Sequence, residues 1–544
     1  MKLIRVILAL IPTILCGCAS ITTPTGGPKD ETPPELIRSF PENGQKNFKG
    51  KTIELTFNEE LKLKDAKEEI LITPSPGKNI SYIVKKNRVI IEPENSWEEN
   101  TTYSINFREG IQDITEGNPA ENLRLAFSTG DTIDSLSISG SVGFTFSEKT
   151  PEKITVALYQ SDTFNIFKHA PTYFTKVSKE GIFSIQNLKG GTYYVYAFDD
   201  KNKNLKVESK TEKFGFLSPP IFLYSNKDSL KINLIMVDAR PPALTSIRHT
   251  TETTLVRINK NADSLNIKME SSKALPTFGD KQSELTFYHA FDSKDSVKVN
   301  LFLIDSVKQT LDTTFYLKHS DTKVAKESFG IKEVSSNFNL QTKKFKHVIS
   351  FNKPIASINT DSIYIKVDSL TVINLSQKDV IIDTLYHTLS VETSLEAPKE
   401  KEADKARKKT KPYLRIGKGA IISYQSDSSK SITKEITFIK EEDTGLITGK
   451  VDTKEKNFVL QLLTTNDVLI TELKNQKEFS IKYLKPDTYK VRIIIDTNGN
   501  GKWDAGNFLK GIEPERIIFY KSEENKYTFP IRANWEYGPL VITF

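Results

Sequence analysis

Asp496, Asn498, Asn500 and Asp504 stand at positions 1, 3, 5 and 9 of one loop, Asp496-Thr497-Asn498-Gly499-Asn500-Gly501-Lys502-Trp503-Asp504. Oxygen side chains at alternate positions converge when the chain turns tightly. A Gly at the sixth position permits that turn, and calcium takes such oxygens together with a backbone carbonyl at the seventh. The carbonyl here belongs to Lys502. Asp496, Asn498, Asn500, Lys502 and Asp504 are therefore a candidate structural calcium site. The twelfth position is Asn507 rather than a bidentate Glu, so Glu513 or Glu515 would have to reach in from outside. The alternative is an Asx-rich turn whose side chains bond their own backbone. Asp200-Lys201-Asn202-Lys203-Asn204, followed by Glu208, repeats the alternation but carries Leu205 in place of the Gly.

Other reactive patterns are sparse. His169, His249, His289, His319, His347 and His387 are scattered and lack metal-ligand spacing. The chain contains no nucleophile elbow, phosphate-binding loop or zinc-protease motif. Paired acids such as Glu59-Glu60 suit the solvated face of an amphipathic strand. The expectation is a protein that is not an enzyme and takes no small-molecule substrate.

The first residues carry a different chemistry. Lys2 and Arg5 precede a short apolar run, Val6 to Leu15, broken by Pro12 and Thr13. A membrane span needs about 20 apolar residues, so this run is too short. It reads as a signal-peptide core, residues 1–17. The following Leu15-Cys16-Gly17-Cys18 resembles the bacterial lipobox, which implies cleavage before Cys18 and an N-terminal lipid on its sulfur. The chain has 2 cysteines and both lie here, so the mature protein has no disulfide and its cores must stabilise it.

These sites need elements to hold them. Phe (31) and Tyr (19) far outnumber Met (3), and apolar residues fall in short alternating runs such as Thr52–Phe57 and Thr192–Phe198. Gly, Pro, Asn, Asp and Ser punctuate the runs. The pattern predicts an all-β chain of tandem β-sandwich modules. The net charge of +7, two of it from Lys2 and Arg5, is small for 544 residues. No basic face interleaved with aromatics is visible, so nucleic acid is not an expected partner.

A Thr-, Pro- and Gly-rich tether spans 18–34. The next module, 35–131, carries Phe40-Pro41-Glu42-Asn43-Gly44, Leu55-Thr56-Phe57-Asn58, Ile90-Ile91-Glu92-Pro93, Asn100-Thr101-Thr102-Tyr103, Gly110-Ile111-Gln112-Asp113, Gly117-Asn118 and Phe127-Ser128-Thr129-Gly130. This set resembles the bacterial Ig-like domains of S-layer and Bacteroidota surface proteins. Residues 132–239 carry Gly140-Ser141-Val142, Val156-Ala157-Leu158-Tyr159, Gly181-Ile182-Phe183-Ser184-Ile185 and Leu188-Lys189-Gly190-Gly191-Thr192-Tyr193. They resemble the transthyretin-like, carboxypeptidase-regulatory-like sandwich.

Both modules recur. Phe183-Ser184-Ile185, Thr192-Tyr193 and the Asp200 loop return as Phe479-Ser480-Ile481, Thr488-Tyr489 and the Asp496 loop, all 296 positions on (479 less 183). More faintly, Thr56-Phe57-Asn58 resembles Ser350-Phe351-Asn352, and Tyr103 with Gly110 resembles Tyr413 with Gly419. A second, divergent Ig-like module is thus expected over 331–443, and a second transthyretin-like module over 444–544. The charged stretch 396–411 reads as a loop insertion in the former. A β-rich segment of no assigned family, 240–330, lies between the copies.

Asp-Ser followed by an aliphatic residue or Thr recurs along the chain. It resembles the O-glycosylation sequon of Bacteroidota and marks Ser135, Ser229, Ser264, Ser296, Ser306, Ser362 and Ser369 as candidate acceptors. The plainer reading is that Asp-Ser starts strands after turns. Together these features resemble a Bacteroidota outer-membrane lipoprotein, on the cell surface more than the periplasmic face. The expected role is a multi-domain scaffold arm docking on an outer-membrane protein complex, such as β-barrel assembly or transport machinery. The alternative is a surface adhesin or glycan-binding lipoprotein.

Overall fold

The computed structural model describes residues 29–77, 79–270, 274–278, 283–289, 296–325, 327–368, 370–383, 387–396 and 411–544. Strands dominate it. The alternation read from the sequence is the cause: in Ile53–Phe57, Ile53, Leu55 and Phe57 are buried while Glu54 and Thr56 are half-buried. The α-helix among the described residues is one turn, Ala66–Glu69.

In the first module, Leu36–Phe40, Ile53–Phe57, Arg88–Pro93 and Ile80–Lys85 lie side by side in that order. They face Leu71–Thr73, Thr102–Asn106 and Arg124–Ser128, and the short pair Leu61–Leu63 with Ile111–Asp113 completes the module. Trp97, Tyr103 and Phe127 meet inside, with ring centroids 4.7 to 5.5 Å apart. The same strand order returns later. Ile331–Asn339, Lys344–Phe351, Thr388–Ser394 and Val380–Asp383 form one sheet. Val372–Asn374, Ile363–Lys366, Tyr413–Ile416 and Ile432–Glu435 form the other, and Ile355–Ile358 pairs Ile421–Ser423. One detail of the sequence match shifts. Tyr413 is half-buried, whereas Leu414 and Ile416 are buried as Tyr103 and Ile105 are. The inward set therefore slips by one residue, because inward and outward positions alternate along a strand.

Two further modules also share one plan. In the earlier, Leu136–Phe144 lies between Ile182–Leu188 (antiparallel) and Lys227–Leu234 (parallel). In the later, Gly445–Asp452 lies between Glu478–Leu484 and Glu536–Thr543 with the same two senses. The facing sheets also correspond: Tyr173–Lys176, Thr155–Tyr159, Gly191–Phe198 and Phe214–Phe216 match Leu469–Lys474, Phe458–Thr464, Asp487–Ile495 and Ile517–Phe519. Register agrees to the residue. Gly140 sits opposite Phe183, and Gly449 opposite Phe479. A Cβ on Gly140 would stand 2.1 Å from the Leu230 oxygen, so only Gly lets the parallel strand approach there. Tyr193 Oη donates to Lys189 O, and Tyr489 Oη to Lys485 O, each at 2.8 Å.

Between these pairs lies a module of two sheets. Leu244–His249, Thr253–Ile258, Glu284–His289 and Ala274–Phe278 make one, and Ser264–Met269, Ser296–Ile304 and Thr310–Lys318 the other. Each of the five modules has its own apolar core. A sixth cluster joins Tyr159, Phe198 and Phe214 of the second module to Val307 of the third and Ala505, Trp503 and Phe508 of the fifth. The fifth module thus folds back onto the second. The multi-domain arm expected from the sequence is folded back on itself.

Candidate interaction site

The fold-back begins at the Asp496 loop. Asp496 Oδ1 accepts from the N–H groups of Gly499 and Asn500, and Oδ2 from that of Gly501, at 2.8 to 3.1 Å. Asn498 Oδ1 accepts from Asn500 N (3.0 Å), and Asn500 Oδ1 from Lys502 N (2.8 Å). The Nδ2 groups of Asn498 and Asn500 both donate to Asp504 Oδ2 at 2.6 Å. Side-chain oxygens thus replace the backbone acceptors that a tight turn lacks. Glu515 closes the loop from outside: its carboxylate accepts from the N–H groups of Thr497 (2.7 Å) and Asp504 (3.1 Å). Of the two acids proposed to reach in, Glu515 reaches the loop, while Glu513 turns to the second module. Asn507 instead caps a short 3-10 turn by accepting from Lys510 N. These bonds hold the loop in its turn. Among the described residues, no group of three or more His, Cys, Asp or Glu side chains could hold a metal ion.

The Asp200 loop is built alike. Asp200 accepts from Asn204 N (3.0 Å) and Leu205 N (3.1 Å), Asn202 Nδ2 donates to Glu208, and Glu212 takes the place of Glu515. Leu205 holds a φ of 58°, close to the 74° of Gly501. A Leu in this left-handed region costs about 1–2 kcal/mol, so the side-chain network holds the turn against its own sequence.

Beyond its loop, the fifth module presents Phe508. Its ring lies 5.5 Å from Phe167, 5.6 Å from Phe214, 5.5 Å from Phe216 and 6.1 Å from Tyr196, all on the second module. Burial in this cluster raises the Tyr196 hydroxyl to about 12. In return the second module offers Phe146, 4.6 Å from Trp503 and 5.4 Å from the Arg492 guanidinium. Lys490, 3% exposed, bridges Glu148 (3.7 Å) and Asp467 (2.9 Å). Glu513 accepts from Ser218 N at 2.6 Å. Aromatic contacts of this kind are worth about 0.5–1.5 kcal/mol each beyond area burial.

The other junctions are polar. Arg108 pairs with Glu69 at 2.9 Å and donates to Lys176 O, joining the first module to the second. Lys260, ion-paired with buried Asp305, donates to Asp238 O (2.6 Å) and Arg240 O (2.7 Å), joining second and third. Tyr288 packs edge-on to His387 and Tyr424, and Gln425 bonds Glu252, joining third and fourth. The second module therefore meets the first, third and fifth, and the third meets the fourth.

Of the other sequence-marked residues, Cys18 and Ser369 lie outside the described residues, as does most of 396–411. Ser135, Ser229, Ser264, Ser296 and Ser306 are exposed and Ser362 is half-buried. Their neighbouring acids serve turns: Asp305 Oδ1 accepts from Val307 N and Gln309 N, and Asp368 Oδ1 from Leu370 N and Thr371 N. An open cleft of about 300 Å³ between the second and fifth modules is lined by Phe144, Glu148, Lys149, Glu180, Phe519 and Tyr527. Glu148 there is committed to Lys490. Phe508 and Phe146 had no sequence signal, since a single aromatic in a polar loop reads as surface.

This is a protein of tandem Ig-like β-sandwiches. Residues 30–129 match the bacterial Ig-like domain family. No curated protein matches the chain. Among solved structures it is similar to dimeric latent PorU from Porphyromonas gingivalis, at 10% identity and a TM-score of 0.22, covering 54% of this chain and 35% of that one. It thus spans about a third of PorU's length. It is also similar to SGBP-B of the Bacteroides ovatus mixed-linkage glucan utilization locus, at 8% identity and a TM-score of 0.16, covering 72% and 93%. A third is BcpA, the major pilin subunit of Bacillus cereus, at 10% identity and a TM-score of 0.13, covering 76% and 99%. Nothing about the function of this chain follows from these three.

Proposed function

We propose that the chain is a non-catalytic outer-membrane lipoprotein, tethered through lipid on Cys18, whose interlocked sandwiches form a scaffold for an outer-membrane protein partner. The observation that carries this reading is the aromatic lock around Phe508. It joins modules far apart in sequence, and a fixed multi-module surface suits partner docking better than a flexible string would. No helix among the described residues is long and apolar enough to cross a membrane, so on this reading the lipid is the anchor. A β-barrel assembly or transport complex is the partner class proposed, and the outward face of the membrane is the proposed side.

A second reading rests on Phe222 and Tyr224. They are 58% and 81% exposed, Phe222 in the short strand Ile221–Leu223 and Tyr224 in the bend that follows it. Such a pair suits an adhesin or glycan-binding role, by stacking on sugar rings.

Membrane fractionation tests the proposal. The native protein is expected with the outer membrane, accessible to protease on intact cells, and bound in fixed stoichiometry to a barrel protein after mild detergent. Cys18→Ala is expected to release it. Retention of the Cys18→Ala protein would refute the anchor, and glycan binding without a barrel partner would favour the second reading.

A further inference from the structure

The fourth module presents one sheet face of mixed aromatic and basic character. In the sheet of Val372–Asn374, Ile363–Lys366, Tyr413–Ile416 and Ile432–Glu435, the inward residues Ile363, Ile365, Leu414 and Ile416 are 0% exposed. Alternation therefore sends Tyr364, Lys366, Tyr413 and Arg415 to the other face. Register arranges that face in two rows. Asn374, Tyr364, Arg415 and Thr433 lie side by side, and Val372, Lys366, Tyr413 and Glu435 make the next row. The two tyrosines are diagonal neighbours, roughly 7–8 Å apart, and so are the two cations. Arg415 donates to Thr433 Oγ1, and Glu435 is paired with Lys411. Among the described residues, Lys366 and Arg415 have no carboxylate partner.

The repeat shows what such a face does elsewhere. In the first module the matching face carries Leu71, Thr73, Ser104, Asn106 and Arg124. Phe174, Ser184 and Gln186 of the second module lie against it, and Leu71 and Thr73 are buried. There it is a docking surface. The fifth module carries Glu472, Ser480 and Lys482 where the second carries Phe174, Ser184 and Gln186. Docked in the same way, it would lose the Phe174 anchor and bring Lys482 toward Lys366 and Arg415, a like-charge contact. It is seated on the second module through Phe508 instead.

We propose that this face of the fourth module binds an acidic polysaccharide. Each Tyr offers a flat ring to the C–H face of a sugar and a hydroxyl to its polar rim. Lys366 and Arg415 beside them take carboxylates, Arg415 through its planar fork. Asn374 supplies both a donor and an acceptor for sugar hydroxyls. Charge alone would also admit an acidic peptide; the paired tyrosine planes favour sugar rings, which are flat and repeat along their chain. The inference deepens the glycan-binding reading and places it on a different module, away from Phe222 and Tyr224.

The test is calorimetric titration of the chain from Ala19 to Phe544 with an oligogalacturonate, with maltohexaose as a neutral sugar and a single-stranded oligonucleotide as a second polyanion. The oligogalacturonate is expected to bind, more weakly as salt rises, and the two controls are not. Arg415→Gln and Tyr364→Ala should each weaken binding roughly tenfold at an unchanged melting temperature; Lys366→Gln serves where Tyr364→Ala lowers it. Phe222→Ala combined with Tyr224→Ala should leave binding in place, so this face stands even if the reading based on those two residues fails. No binding of the oligogalacturonate, binding indifferent to Arg415→Gln, equal binding of either control, or loss in the Phe222 and Tyr224 variant alone would each overturn the proposal.

Discussion

Asp113 shows how a single side chain organises a loop. It is 1% exposed. Burial alone would raise its pKa, but the N–H groups of Gly117, Asn118 and Glu116 and the Thr115 hydroxyl outweigh that and bring it down to about 2. Its charged form is therefore favoured by folding. The stability it supplies is complete above the usual 3.8 and is lost as pH falls from there through about 2. Asp113→Asn should lower the melting temperature at neutral pH and flatten the pH dependence of stability below 4 (roughly the unfolded value). A wild-type stability that does not change across that window would contradict this. Gly110-Ile111-Gln112-Asp113 and Gly117-Asn118 stood in the sequence among the residues that resemble the bacterial Ig-like domains, and Gly117 holds a φ of 82°. That Asp113 would be buried was not legible, because its donors are backbone groups that any sequence supplies.

The recurring loop after the long strand is the element that links local sequence to assembly. Its Asp-x-Asn-x-Asn spacing was readable, and so was its duplication. What the spacing could not decide was whether oxygens converge on a cation or on N–H groups, since both demand the same residues. The hydrogen bonds of Asp496 to turn N–H groups belong to both arrangements, so the chelator experiment decides between them. Asp496→Ala leaves the N–H groups of Gly499 and Gly501 without their acceptor, at about 1–3 kcal/mol for each that stays buried, while Asn500 N keeps Asn498 Oδ1. It should lower the melting temperature and loosen Phe508 from its ring of aromatics. Chelator should leave the wild-type melting curve in place; a downward shift would assign the loop a bound ion. The strand plan itself was well marked, because inward residues alternate. Tyr413 shows the limit: a one-residue slip keeps the sequence resemblance while moving the inward set.

At the scale of the whole molecule, the chain order hides the contact order. The second and fifth modules descend from one pattern yet meet through unlike parts: a Phe508 loop on one side, Phe146 and Glu148 on the other. Sequence repeats reveal that modules are alike, but not that they touch, because the contact uses residues outside the repeated motif. Phe508→Asp places a charge among Phe167, Phe214 and Phe216 and should undo the lock while sparing each module's own core. Small-angle scattering on the chain from Ala19 to Phe544 and on its Phe508→Asp variant tests this most directly. The account predicts a compact wild type and a longer maximum dimension in the variant. A wild type already extended, or a variant with an unchanged profile, would contradict it.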